Sequence, residues 1–172
     1  MCKFVTGICL FFLMGGFCFA LDPAEGYWLS VDDKTGKTTA GWEIYQEEGK
    51  LYGKVLSTAE HAPDVRAERC KESYPGFPVP GKVNQMIVTG TPWIFGLTRQ
   101  GEGRWGNGNV IDPTDGNMYK CRITYHPADG TRFTEDTLEM RGEIGLGIGR
   151  SQFWRKTNRE TAASQSPLLS EK

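Results

Sequence analysis

Residues 141–156, RGEIGLGIGRSQFWRK, set glycines at 142, 145, 147 and 149 just ahead of Arg150. Backbone amides freed by such spacing can wrap a phosphate, provided a strand precedes the glycines and a helix N-terminus follows them. Here the chain runs on as RSQFWRK, aromatic and alternating, with no Lys-Ser or Lys-Thr closing the loop. The glycines therefore predict a sharply coiled hairpin or bulge rather than a nucleotide site. A serine nucleophile has no G-x-S-x-G turn to expose it, and GRSQ opens no helix. His61 and His126 stand far apart beside prolines, outside any cluster with ligand spacing, so no metal is expected. The carboxylate pairs Asp32/Asp33 and Glu47/Glu48 fall in turn sequences, where acids are solvated. No catalytic residue and no cofactor are expected, and a secreted enzyme is the least supported role.

Lys and Arg total 20 against 21 Asp and Glu, a net charge of -1, which supplies no basic stripe for nucleic acid. The aromatic content is more informative. Five tryptophans are joined by Phe95, Tyr119, Tyr125 and Phe153, enough bulk either to fill a small β-barrel or to line a pocket within one.

The elements that position these residues begin after a leader. Residues 1–20, MCKFVTGICLFFLMGGFCFA, carry Lys3, an apolar run from Gly7 to Phe19 and a small residue at Ala20, the layout of a secretory signal peptide. The run is roughly 13 residues, short of the ~20 that span a bilayer. Cleavage after Ala20 is expected; a lipoprotein signal at Cys18 is the alternative, although bulky Phe17 precedes it. No later stretch is apolar for long enough to cross a membrane as a helix, so export to the periplasm or cell envelope is the expected fate. In that oxidising setting the remaining cysteines, Cys70 and Cys121, are expected to pair; two buried thiols that never meet are the alternative.

Residues 21–156 read as one β domain. Trp42 and Ile44 oppose Glu43 and Tyr45; Leu51, Gly53 and Val55 oppose Tyr52 and Lys54. Tyr119, Cys121, Ile123 and Tyr125 alternate with Lys120, Arg122 and Thr124, and Leu138, Met140 and Ile144 with Glu139, Arg141 and Glu143. This period of two predicts half-buried strands. EEGK and DPTDG predict tight turns between them. APDVRAERCKES predicts a short helix begun at Pro63, and VNQMIVTG a strand. YPGFPVPGK, with three prolines, cannot be a central strand and reads as part of a lid. Residues 157–172 are polar and aperiodic, a disordered tail. About eight to nine short strands joined by tight turns predict an all-β, antiparallel up-and-down barrel, with a two-sheet sandwich as the alternative.

Three motifs carry a resemblance. WGNGNVIDPTDGNMYKC presents Trp105, Gly108, Val110, Asp112, Pro113, Gly116, Tyr119 and Cys121; LEMRGEIG covers Leu138 to Gly145, and GRSQFW covers Gly149 to Trp154. With the opening GYW and the central KLYGKV, the chain from about Gly26 to Lys156 resembles the exported bacterial family known as domain of unknown function 2147. The resemblance implies an envelope-located, lipocalin-like barrel and no particular activity. Family members often carry a cysteine pair around the second hairpin, where this chain has YQEEGKLYG. The Cys70–Cys121 pairing therefore rests on this chain alone. GYW also resembles the glycine-x-tryptophan opening of a lipocalin's first strand. By that likeness Arg150 or Arg155 packs across Trp28 and closes the barrel, a cation–π contact worth about 0.5–2 kcal/mol; the alternative is Trp28 in an ordinary core beside an exposed arginine. The expected role is a binding module for a small hydrophobic or lipid-like ligand, with Trp28, Trp42, Ile44, Tyr119, Ile123 and Met140 facing inward. A structural or interaction protein of the envelope, its barrel filled and its YPGFPVPGK segment exposed for contact, is the alternative. The sequence identifies no protein partner.

Overall fold

The computed structural model describes residues 21–145 and 147–167. The expected signal peptide, residues 1–20, lies outside the described residues. Eight strands run in order: β1 (Gly26–Val31), β2 (Thr38–Glu47), β3 (Lys50–Thr58), β4 (Pro92–Gly101), β5 (Arg104–Ile111), β6 (Met118–His126), β7 (Thr137–Gly145) and β8 (Ile148–Thr157). Each pairs antiparallel with the next, and β8 returns to β1 through Tyr27–Thr157, Trp28–Lys156 and Leu29–Arg155, closing the barrel.

Tight turns explain the consecutive pairing. The β1–β2 and β5–β6 connections fold alike. In each, an aspartate carbonyl (Asp32, Asp112) accepts from a glycine amide four residues on (Gly36, Gly116), at 2.8 Å in both cases. Its carboxylate accepts the amide of Thr35 or Thr114. Gly36 and Gly116 take φ of 68° and 74°, which a side chain would strain. The β7–β8 connection is likewise a hairpin, so the glycine-rich stretch is structural.

Inside and outside follow from parity. Trp28, Ile44, Leu51, Ile94, Leu97, Trp105, Cys121, Ile123, Leu138 and Trp154 form one buried cluster in the barrel interior. A second cluster joins Trp93, Phe95 and Ile111 to Ala67, Cys70, Tyr74, Val83 and Val88 of the β3–β4 connection. Strand β4 is thus covered on both faces, Ile94 and Leu97 by the interior and Trp93 and Phe95 by the lid.

That lid corrects two expectations. Residues 63–73 hold turns rather than a helix, and 83–90 hold a short 3-10 turn, Val83–Gln85, rather than a strand. The physical reason is that β3 pairs with β4 over Lys50–Lys54, leaving the lid a single parallel bridge from Thr89 to Val55, where Gly90 N–H donates to the Val55 carbonyl at 2.7 Å. Otherwise its segments bond to each other, Ala67 N–H to the Met86 carbonyl and Val88 N–H to that of Val65, both at 2.9 Å. The cysteines are also corrected. Both are free thiols, because Cys121 packs inside the barrel and Cys70 under the lid, on opposite sides of the sheet wall.

The base is plugged by the segment before β1. Buried Asp22 accepts from the Ala24 amide (3.1 Å), the Gly103 amide (3.2 Å) and Trp105 Nε1 (3.1 Å). Trp28 Nε1 donates to the Ala24 carbonyl at 3.1 Å.

The expected disordered tail is corrected for residues 157–167. Thr157 completes β8, and Asn158 caps α1 (Arg159–Ala163) by accepting the Thr161 amide at 2.8 Å. The helix lies on the outer wall because Gly41 leaves room for it. A Cβ at Gly41 would stand 1.8 Å from the Ala162 carbonyl oxygen, which itself accepts from Ser57 Oγ at 2.6 Å. Residues 168–172 lie outside the described residues. We predict that Gly41→Ala lowers stability by about 1–3 kcal/mol in urea denaturation. In a chain ending at Asn158 the same substitution should be nearly silent; an equal loss there would refute the docking of α1 on Gly41.

Candidate ligand-binding mouth

The inner face is sealed at one end and open at the other along β6, β7 and β8. On β7, Leu138 is buried, Met140 and Gly142 are half-buried, and Ile144 is 72% exposed. On β8 the inward series is Trp154 buried, Gln152 half-buried, Arg150 exposed and Ile148 63% exposed. On β6 it passes from Ile123 and Cys121, both buried, to half-buried Tyr119. The register sets these residues in rows, Ile123 with Met140 with Gln152, then Cys121 with Gly142 with Arg150. Residues that face inward yet meet solvent define a shallow cup.

Its floor is the Trp42 indole, stacked on buried Trp154 with centroids 4.8 Å apart and planes at 26°. The polar atoms of both rings are satisfied by the protein. Trp42 Nε1 donates to Ser30 Oγ at 3.2 Å, and Trp154 Nε1 to Gln152 Oε1 at 3.1 Å. What remains exposed is apolar ring, the surface a hydrophobic ligand would cover. Gly142 widens the cup, since a Cβ there would lie 3.6 Å from Tyr119 and 3.9 Å from Val110, ordinary contact distances. At the rim, Arg150 Nη2 and Nε donate to Asp33 Oδ2 at 2.7 and 2.9 Å, and the Tyr119 hydroxyl donates to Asp115 Oδ2 at 3.2 Å. Burial and the Asp115 charge push the Tyr119 hydroxyl above the usual phenol range. Beneath the floor, Trp28, Trp105, Ile44, Leu51, Ile94, Leu97 and Leu138 pack as one core, so the space open to a ligand is confined to the mouth.

A model of the family described as uncharacterized protein conserved in bacteria (DUF2147) matches residues 26–156. The chain belongs to that family. No curated protein matches its sequence. Among solved structures, protein HP1028 from Helicobacter pylori, described as belonging to the lipocalin family, is similar to it, with a TM-score of 0.61 and 16% identity. The match covers 80% of this chain and 85% of that one, and at this identity it establishes a likeness of fold.

In this DUF2147 barrel the expected site residues divide by depth. Trp42, Tyr119 and Met140 line the mouth, whereas Trp28, Ile44 and Ile123 lie in the packed core beneath it. Ser30, Gly142, Gln152 and Trp154 stand outside the expected set; Gly142 is legible as the small member of the inward series that includes Met140. The expected closure by Arg150 or Arg155 is corrected. Lys156 takes that role, its Nζ 5.6 Å from the Trp28 ring and 5.5 Å from that of Tyr125, with Asp136 Oδ2 at 3.3 Å. Register decides this, because Lys156 is the residue opposite Trp28. Arg155 has the other parity and reaches the Gly36 carbonyl at 3.5 Å, while Arg150 stands at the rim.

The outer wall holds a groove of about 630 Å³ between β5, β6 and β7 and a polar chain beside it. His126 Nε2 lies 2.9 Å from Glu139 Oε2, and Ser151 Oγ donates to Glu139 Oε1 at 2.7 Å. The carboxylate sits in the middle, so the serine faces an acid rather than the imidazole and is not activated as a nucleophile. Burial raises the Glu139 pKa, but the bonds from Ser151 and His126 outweigh it and hold the carboxyl below its ordinary range. A depressed acid contributes stability that is complete above its unfolded pKa, about 4.3, and lost as pH falls toward the folded value. We predict that the stability lost between neutral pH and pH ~3 is smaller in Glu139→Gln than in the parent. Parallel acid limbs in urea titrations would exclude the linkage.

Proposed function

We propose that this protein is an exported binding module that takes the apolar part of a small amphipathic or lipid-like molecule into the barrel mouth. The observation that carries the reading is the partly exposed Trp42 ring, stacked on buried Trp154, with half-buried Tyr119 and Met140 packed on the same interior cluster. The ligand's apolar part would meet the Trp42 ring, with its polar end at the rim beside Arg150, Asp33 and Gln152. Export rests on the leader-like composition of residues 1–20.

The alternative, an envelope interaction protein with a filled barrel, draws support from the packed lower interior. Its contact segment is less favoured. Tyr74 is buried and donates to the Gly116 carbonyl at 2.7 Å, while Phe77 packs against Trp93 and Phe95. The aromatic residues of YPGFPVPGK thus hold the lid down, leaving mainly its prolines outward.

The deciding experiment titrates the mature protein with a fluorescent fatty acid and follows tryptophan quenching. Gly142→Ala should bind like the parent, and Gly142→Leu, with unchanged thermal stability, should bind at least about tenfold more weakly as the cup fills. A clean apo mass in native mass spectrometry of gently isolated protein, together with no quenching, would overturn the reading. Sequencing of the mature N-terminus should begin at Leu21; retention of Met1 would overturn export.

A further inference from the structure

The β1–β2 and β5–β6 turns are built alike, yet of the two it is the second that lies against the lid. Among the described residues a Cβ at Gly36 would meet nothing within 4 Å. One at Gly116 would stand 2.1 Å from the Arg69 carbonyl oxygen and 3.1 Å from Cys70 Cα, both of the lid. Buried Tyr74 fixes this contact, its hydroxyl accepting the Lys71 amide at 2.8 Å and donating to the Gly116 carbonyl at 2.7 Å. The next link is Asp115, the residue before Gly116. Its Oδ1 accepts the Asn117 amide at 2.7 Å, and its Oδ2 accepts the hydroxyl of Tyr119, at the mouth, at 3.2 Å. Burial opposes the charge, but the bonds from Asn117 and Tyr119 hold the Asp115 carboxyl below its ordinary range, so the bond to Tyr119 is charge-assisted. The lid also reaches the mouth directly, because Trp42 packs against the lid cluster as well as the interior one.

We infer that Tyr74 is a positioning residue for the ligand mouth, its clamp on the β5–β6 turn holding the two aromatic side chains that would meet the ligand, Trp42 and Tyr119. The inference rests on the ligand reading above and adds to it the element that sets affinity. Phe77 secures the lid to Trp93 and Phe95 on the outer wall. Among the described residues it is the Tyr74 hydroxyl that joins the lid to the turn by a hydrogen bond. Without that bond the packing on Trp42 and the tether on Tyr119 loosen together, and a bound ligand escapes faster. Encounter is little altered, since the open β6–β8 side is untouched and changes within one site act mostly on dissociation.

The test is stopped-flow measurement of fluorescent fatty acid binding to the mature full chain. Tyr74→Phe should raise the dissociation rate at least about fivefold and leave the association rate within about twofold of the parent's. Tyr119→Phe should act through the same path. The double variant should therefore dissociate little faster than the faster single variant, rather than at the product of the two effects. Ser57→Ala, which loosens α1 on the outer wall, should leave both rates unchanged. Where Tyr74→Phe fails to keep the parent's near-ultraviolet circular dichroism, Asp115→Ala breaks the path with the lid bond intact and should raise the dissociation rate in the same way. A second measurement needs no ligand: a soluble paramagnetic agent should broaden the Trp42 ring resonances more strongly in Tyr74→Phe than in the parent. If the parent binds no fatty acid, the ligand reading falls and this broadening alone decides the clamp. With a parent that binds, an unchanged dissociation rate in Tyr74→Phe or effects that multiply in the double variant would overturn the proposal, as would unchanged Trp42 broadening in either case.

Discussion

Three residue pairs, Tyr27–Thr157, Trp28–Lys156 and Leu29–Arg155, join the first strand to the last, and the barrel's inside exists only because that seam closes. Closure turns simple alternation into geometry. Every second residue of eight strands is committed to one interior, and a slip of one residue at the seam would turn the inward set of the slipped strand, Trp28 on β1 or Trp154 on β8, toward water. The seam is short, so its neighbours reinforce it. Lys156 lies over Trp28 and Tyr125, Asp22 ties the entering segment to Gly103 and Trp105, and α1 straps the outside of β1, β2 and β3 over Gly41.

The base and the mouth then follow from what lies beyond each strand end. At the base the Asp22–Glu25 segment covers the opening, and the tryptophans above it are buried. Burying one such side chain is worth roughly 2–3 kcal/mol, so the lower interior is the natural seat of stability. At the other end the lid covers the β2–β5 side, where it is held by Ala40, Val55, Trp93, Phe95 and Ile111 and packs against Trp42. The β6–β8 side keeps its inward residues in contact with water. An open mouth over an apolar floor is thus a consequence of where the long connection falls.

Much of the fold was legible in the sequence because period-two alternation and turn chemistry are local. The inward sets Trp42/Ile44, Cys121/Ile123 and Leu138/Met140 follow from alternation, and Asp32 to Gly36 and Asp112 to Gly116 read as turns from residue type alone. What was not legible depends on contacts distant in sequence. Residues 83–90 look like a strand but meet β3 only in one bridge, Thr89 to Val55, and 159–163 have no apolar period because the helix is held by one buried alanine and a glycine on another strand. The cysteines appeared pairable because their separation by the sheet wall is a property of the closed barrel. The choice of Lys156 over Arg155 at Trp28 required a register, which alternation alone does not supply. The candidate site was legible by type and not by depth: half of the proposed residues face inward below the level a ligand can reach.

The account stands on Trp42 being reachable from solvent inside a barrel whose deeper tryptophans are not. Nuclear magnetic resonance of indole-labelled protein in the presence of a soluble paramagnetic agent measures this directly, since the five tryptophans give separate side-chain signals. The account predicts strong broadening of the Trp42 ring resonances, with those of Trp28, Trp93, Trp105 and Trp154 protected. Equal protection of all five would mean a filled barrel with no cup, and broadening of Trp28 along with Trp42 would mean that the cylinder is not closed.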